Sequence, residues 1–101
     1  MKMLPVRFTE TALQEIAGII ARKNIPGHYG VRIGASGSGC SGVRFILGFD
    51  NEKPGDAVFE MEGFRVLVEK KQFLFLAGMR IEFIESEAER GFVFEQDLPE
   101  Q

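Results

Sequence analysis

Apolar residues recur along this chain with two different periods, and the change from one to the other predicts where helix gives way to strand. Leu13, Ile16, Ala17 and Ile20 keep the i, i+3, i+4, i+7 spacing of a single helical face. Thr9 is placed to cap that helix, with Phe8 and Leu13 as a hydrophobic staple across its first turn, and Thr11 with Gln14 offers a capping box one step on. Asn24 and Ile25-Pro26-Gly27 predict its end, because asparagine tolerates the left-handed conformation and the residue before proline avoids the helical one. The period then falls to two. Val31, Ile33 and Ala35 alternate with Arg32 and Gly34, and after a glycine-rich stretch Val43, Phe45, Leu47 and Phe49 alternate with Arg44, Ile46, Gly48 and Asp50, so each run reads as a strand with one apolar face. Lys53-Pro54-Gly55 marks a loop. Val58 to Met61 and Phe64 to Val68 form a hairpin whose turn, Glu62-Gly63, relies on glycine for a positive φ. Phe73, Leu76 and Ala77, stopped by Gly78, fit a short helix near residues 70-77. Met79, Ile81 and Phe83 read as a strand, Ser86 to Arg90 as a loop, and Gly91 to Phe94 as a last strand.

Composition adds limits to this list of elements. The chain has 101 residues, 45% of them hydrophobic and 27% charged, which fits one folded domain over residues 1-101 and excludes wholesale disorder. Ten phenylalanines are expected to dominate its core. One cysteine forms no internal disulfide, and neither a signal peptide nor a bilayer-length apolar run is visible, so a reducing, cytoplasmic setting without membrane contact is expected. A formal net charge of −3 argues against nucleic acid as a partner, since binding phosphates needs a basic face. The charge is uneven: from Glu82 to Gln101 seven acids stand against Arg90 alone, leaving −6, while residues 1–81 carry eleven basic and eight acidic side chains, leaving +3. That acidic end reads as a solvated surface or as a docking face for a basic partner or a cation.

The candidate chemistry lies between the two predicted strands. Gly37-Ser38-Gly39-Cys40-Ser41-Gly42 matches G-x-G-x-x-G, yet the loop opens a strand rather than the helix whose N-terminus would receive a pyrophosphate. Nucleotide binding is therefore not expected. What remains is the Cys40 thiol, the only one in the chain. Its thiolate would bind metal or react, favoured by backbone N–H groups and by nearby cations, for which Arg32 and Arg44 are the candidates; alternatively it packs as a small buried apolar group. His28 has no cysteine, histidine or carboxylate beside it in sequence and reads as a surface or edge residue. No set of residues suggests enzymatic turnover.

The ordered set Val31-Arg32-Ile33-Gly34, Ser38-Gly39-Cys40-Ser41-Gly42, Leu47-Gly48-Phe49-Asp50, the hairpin from Asp56 to Val68, Phe73 to Gly78 and Gly91-Phe92-Val93-Phe94 resembles the A-type iron-sulfur carriers, the IscA/HesB family. The likeness runs from the first helix to Phe94. It implies a β-rich α+β fold, a compact mixed β-sandwich or pseudo-barrel with an N-terminal helix. It also implies a homo-oligomer that receives iron or an iron-sulfur cluster from assembly proteins and passes it to recipient proteins. The family's ligands are one cysteine in the glycine loop, matched by Cys40, and two in a Cys-x-Cys near the C-terminus. The seven residues after Phe94, Glu95 to Gln101, contain no cysteine. A cluster typically takes four thiolates, so the resemblance implies iron or a labile cluster held through Cys40. The other ligands would come from a second subunit, external thiols such as glutathione, or oxygens of Glu95, Asp97 and Glu100. The competing expectation is a non-catalytic interaction domain that keeps the fold and binds partner proteins without a cluster, and a third is a thiol that forms an intermolecular disulfide.

Overall fold

Seven strands among the described residues sort into two mixed sheets. The computed structural model describes residues 4–37 and 43–97. β1 (Val6–Phe8) leads into α1 (Glu10–Arg22), followed by β2 (Gly30–Gly37), β3 (Val43–Asp50), β4 (Asp56–Met61) and β5 (Phe64–Glu69). A 3₁₀ turn, Lys70–Gln72, runs into α2 (Phe73–Leu76), and β6 (Met79–Glu85) and β7 (Arg90–Gln96) complete the order. One sheet has the order β3-β2-β5-β4 and the other β1-β6-β7, a β-rich α+β architecture as expected. No helix among the described residues is long and apolar enough to cross a membrane.

Local chemistry accounts for the boundaries. The Thr9 side chain accepts a hydrogen bond from the Ala12 N–H at 3.2 Å, the capping interaction expected of it. At the far end Asn24 has φ 52° and the Ile25 N–H reaches back to the Ile20 carbonyl at 3.2 Å, the closing bond of a Schellman turn. Met61 pairs with Phe64, and Gly63 turns that hairpin with φ 92°.

The core lies between the sheets and under α1. Ile16, Val31, Ile33, Val66, Val68, Leu76 and Ile81 are fully buried, and each such aliphatic side chain contributes about 1.5–3 kcal/mol relative to exposure. α1 packs on β6 through Ala12 and Ile16, with Leu13 and Ile20 half-buried beside them. Ala17, expected on this face, is exposed, because a helix resting chiefly on one strand needs only the narrow row at i, i+4. Ala77 is exposed as well; α2 is one turn long and buries Leu76 alone. β1 has no periodicity signal in its three residues, yet it pairs in parallel with β6, placing Val6 beside Met79 and Phe8 beside Ile81. β4, β5 and β7 also run longer than predicted: β4 begins at Asp56, β5 reaches Glu69 and β7 spans Arg90 to Gln96.

Candidate functional site

Eight cross-strand pairs, from Gly30 with Asp50 to Gly37 with Val43, make β2 and β3 one long antiparallel ribbon. Its connection, residues 38–42, carries Cys40, the expected ligand, which lies outside the described residues. A glycine motif that joins two antiparallel strands opens no helix, in line with the expectation that it is not a dinucleotide site.

The ribbon outruns its neighbour. β5 pairs with β2 only as far as Ile33 with Val68, and beyond that point the side chain of Gln72 takes the place of a strand. Its Oε1 accepts from the Ala35 N–H at 3.1 Å. A Cβ on Gly34 would stand 2.8 Å from that oxygen and 3.3 Å from Ile46, so glycine is what lets the amide approach. Opposite Ala35, Phe45 stacks on Phe94 of β7, with ring centroids 5.0 Å apart and planes 9° from parallel. The end of the ribbon that leads to Cys40 is thus held by the 3₁₀ turn on one side and by the second sheet on the other.

Of the two expected cations, one lies at the end of the ribbon that leads to Cys40. Arg44 pairs across the ribbon with Ser36, next to the closing pair Gly37 with Val43; it is exposed and has no ion pair among the described residues. Arg32 is committed elsewhere. Its Nε reaches Asp50 at 2.9 Å, its Nη1 and Nη2 grip Asp56 at 2.9 and 2.6 Å, and Nη2 also reaches the Asn51 carbonyl at 3.0 Å. Burying a guanidinium requires such partners, and here they sit at the end of the ribbon away from Cys40. Arg32 holds the Asp56 carboxyl below its ordinary value, and the Lys53 ammonium, the Asn51 N–H and Arg32 bring Asp50 down to about 2.

His28 is exposed, edge-on to Tyr29 at 5.0 Å, and precedes the first residue of β2. Gly30 and Gly37 are seven residue steps apart in the strand, about 23 Å at ordinary rise, so His28 and the connection stand at opposite ends of β2. Three acids of the acidic end are held by arginines. Asp97 receives Arg7 Nε at 2.7 Å and Nη2 at 3.0 Å, Arg80 pairs with Glu95 and lies 3.5 Å from Asp97, and Arg90 pairs with Glu85 at 3.0 Å. Arg7 lowers the Asp97 carboxyl pKa. Glu95 and Asp97, expected as oxygen ligands, are therefore occupied by arginines; Glu100 lies outside the described residues. Among the described residues no three of His, Cys, Asp and Glu converge to hold a metal ion. The sequence had no signal for Gln72, whose role exists only because β5 stops where β2 continues.

A family model for iron-sulphur cluster biosynthesis matches residues 4–99. The iron-binding protein IscA of Pectobacterium carotovorum is 34% identical over 92 residues, covering 90% of this chain and 84% of that protein. The iron-binding protein IscA of Escherichia coli K12 is 40% identical over 67 residues, 65% of this chain and 63% of its own length. Among solved structures, Escherichia coli SufA, involved in biosynthesis of iron-sulfur clusters, superposes with a TM-score of 0.76 at 25% identity, covering 99% of this chain and 87% of that one. IscA crystallised with a 2Fe-2S cluster gives a TM-score of 0.73 at 24% identity over 90% of this chain and 84% of that one, a likeness of fold.

Proposed function

Because this chain belongs to the iron-sulphur cluster biosynthesis family, we propose that it carries iron or an iron-sulfur cluster as cargo, attached through the Cys40 thiolate. The observation that supports this reading is the position of the chain's only cysteine in the connection of an anchored strand ribbon, with Arg44, which has no ion pair among the described residues, at its foot. A thiol binds iron after losing its proton, and a nearby guanidinium favours the thiolate. Anchoring by Gln72 and by the Phe45–Phe94 stack steadies the base from which the loop extends.

The donor set suits cargo better than a resident cofactor. Iron-sulfur clusters prefer thiolates, and carboxylates are harder ligands; Glu95 and Asp97 are in any case paired with arginines. These 101 residues supply one thiolate where a cluster typically takes four. The remainder come from a second subunit or from external thiols such as glutathione, and a cluster so held is labile, which a carrier requires. A cytoplasmic, reducing setting and a homo-oligomer belong to this reading, with assembly and recipient proteins as its partners and no chemical turnover of its own.

Anaerobic reconstitution with iron and sulfide tests it on wild type and Cys40→Ser, each with and without glutathione. Wild type should develop a sulfur-to-iron charge-transfer band, strengthened by glutathione, and Cys40→Ser should not. Equal bands in both proteins, or none in either, remove the ligand role of Cys40. An interaction domain without a cluster would instead capture the same partners with Cys40→Ser.

A further inference from the structure

Ile46, Leu74 and Phe75 are large apolar residues that the fold leaves 48%, 91% and 56% exposed. A single exposed leucine is ordinary, but these three come from two segments that meet at one place. Ile46 pairs with Gly34 across the ribbon, and a Cβ on Gly34 would lie 3.3 Å from Ile46 and 2.8 Å from Gln72 Oε1. Both side chains therefore lie over Gly34, and α2 begins at the residue after Gln72. In the single turn of α2, Leu76 is buried and Phe73 leans on Phe59 with ring centroids 6.0 Å apart. Leu74 and Phe75 are left to solvent, where an apolar side chain adds nothing to the fold.

The charges beside these residues are of one sign. Lys70 and Lys71, in the turn that leads into α2, and Arg44, two residues before Ile46, are exposed and have no ion pair among the described residues. Glu69 is the only acid in residues 43–49 and 69–78, so this surface is basic on a chain whose formal net charge is −3. We propose that it docks an acidic segment of a cluster-recipient protein, in which an apolar side chain flanked by carboxylates meets Leu74 and Phe75 while the carboxylates face Lys70, Lys71 and Arg44. Complementary charge of this kind speeds encounter and selects the partner, and the apolar contact holds it.

The class of partner rests on the carrier reading, and the position of the surface agrees with it. Gln72 bonds the Ala35 N–H at 3.1 Å, and Ala35 is two residues from Gly37, the last residue of β2. A protein seated on α2 therefore stands beside the end of the ribbon that leads to Cys40. Two apolar side chains and a few charges make a small interface of the transient class, which suits a partner that must leave once loaded.

Titration of the iron-free protein under reductant with an apo-ferredoxin of net negative charge tests the proposal; such a recipient holds a 2Fe-2S cluster on its own four cysteines. Calorimetry gives the affinity and amide NMR shifts give the place. Wild type and Cys40→Ser should bind alike, more weakly as salt is raised, with the shifts on residues 44–46 and 70–77. Lys71→Glu and Leu74→Ser change exposed side chains; each should keep the native circular dichroism and weaken binding roughly fivefold or more. Because no iron is present, a failure of Cys40 as ligand in reconstitution leaves this result unchanged, and a failure to dock leaves reconstitution unchanged. No binding, or binding that either variant leaves at full strength, overturns the proposal. So does a change in the protein's own sedimentation with Leu74→Ser, which assigns the patch to a second copy, or binding to phosphatidylglycerol vesicles that Leu74→Ser abolishes, which assigns it to lipid.

Discussion

One arginine closes the end of the ribbon opposite Cys40. The Arg32 guanidinium joins β2 to the last residue of β3 through Asp50 and to the first of β4 through Asp56, and a fork bonded to a carboxylate in two places fixes orientation as well as charge. The Asp56 side chain is only 2% exposed. Asp56→Asn keeps the shape but removes the charge from a largely buried pair, which should lower stability by about 1–3 kcal/mol in urea unfolding at neutral pH. The acid response follows from the same contacts. Asp50, ordinarily 3.8, is lowered to about 2, and Asp56 and Asp97 are lowered as well. A carboxyl whose folded pKa lies below its unfolded one stabilises the fold above the unfolded value and loses that contribution as pH falls. Urea midpoints should therefore decline from about pH 5 toward about 2, and the decline should be shallower in Asp56→Asn. A midpoint independent of pH across that range would contradict the assignment.

Among the elements, the junction of the ribbon with the 3₁₀ turn is where sequence pattern alone is least informative. Alternation predicts β2 and β3 because each has one buried face, and Thr9, Asn24 and Gly63 declare their turns through side-chain or φ requirements that act within a few residues. Gln72 and Gly34 are 38 residues apart, and neither has a local pattern to announce their contact. The same is true of β1, which is too short to show a period and exists because β6 offers it an edge, and of the Phe45–Phe94 stack between the sheets. Ala17 shows the opposite error: its spacing is right for a stripe, but the helix rests on too narrow a support to use it. The Gly34 contact can be measured directly. Gly34→Ala should cost about 1–3 kcal/mol because the new Cβ meets Gln72 Oε1. In a Gln72→Ala background, which itself leaves the Ala35 N–H without its partner, that cost should fall. Additive losses in the thermal unfolding of the four proteins would mean that the two residues do not touch.

At the scale of the whole molecule, the two sheets make a frame in which the ionic and aromatic contacts hold both ends of the ribbon while the loop between them carries the thiol. The fold and Cys40 as the only thiol were legible in the sequence, because period-two strands, caps and a lone cysteine are local features. The expected help from Arg32, Glu95 and Asp97 was not borne out, since charges in a folded chain are taken by whichever opposite charges the topology brings near. The central claim is that iron or a cluster is carried on Cys40. Alkylation of the protein reconstituted anaerobically with iron, sulfide and glutathione, read by intact mass, tests it most directly because the chain has a single site to modify. Cys40 should resist the reagent while loaded and react fully after chelation of the iron. Equal modification before and after chelation, in a sample that still contains bound iron, would contradict the account.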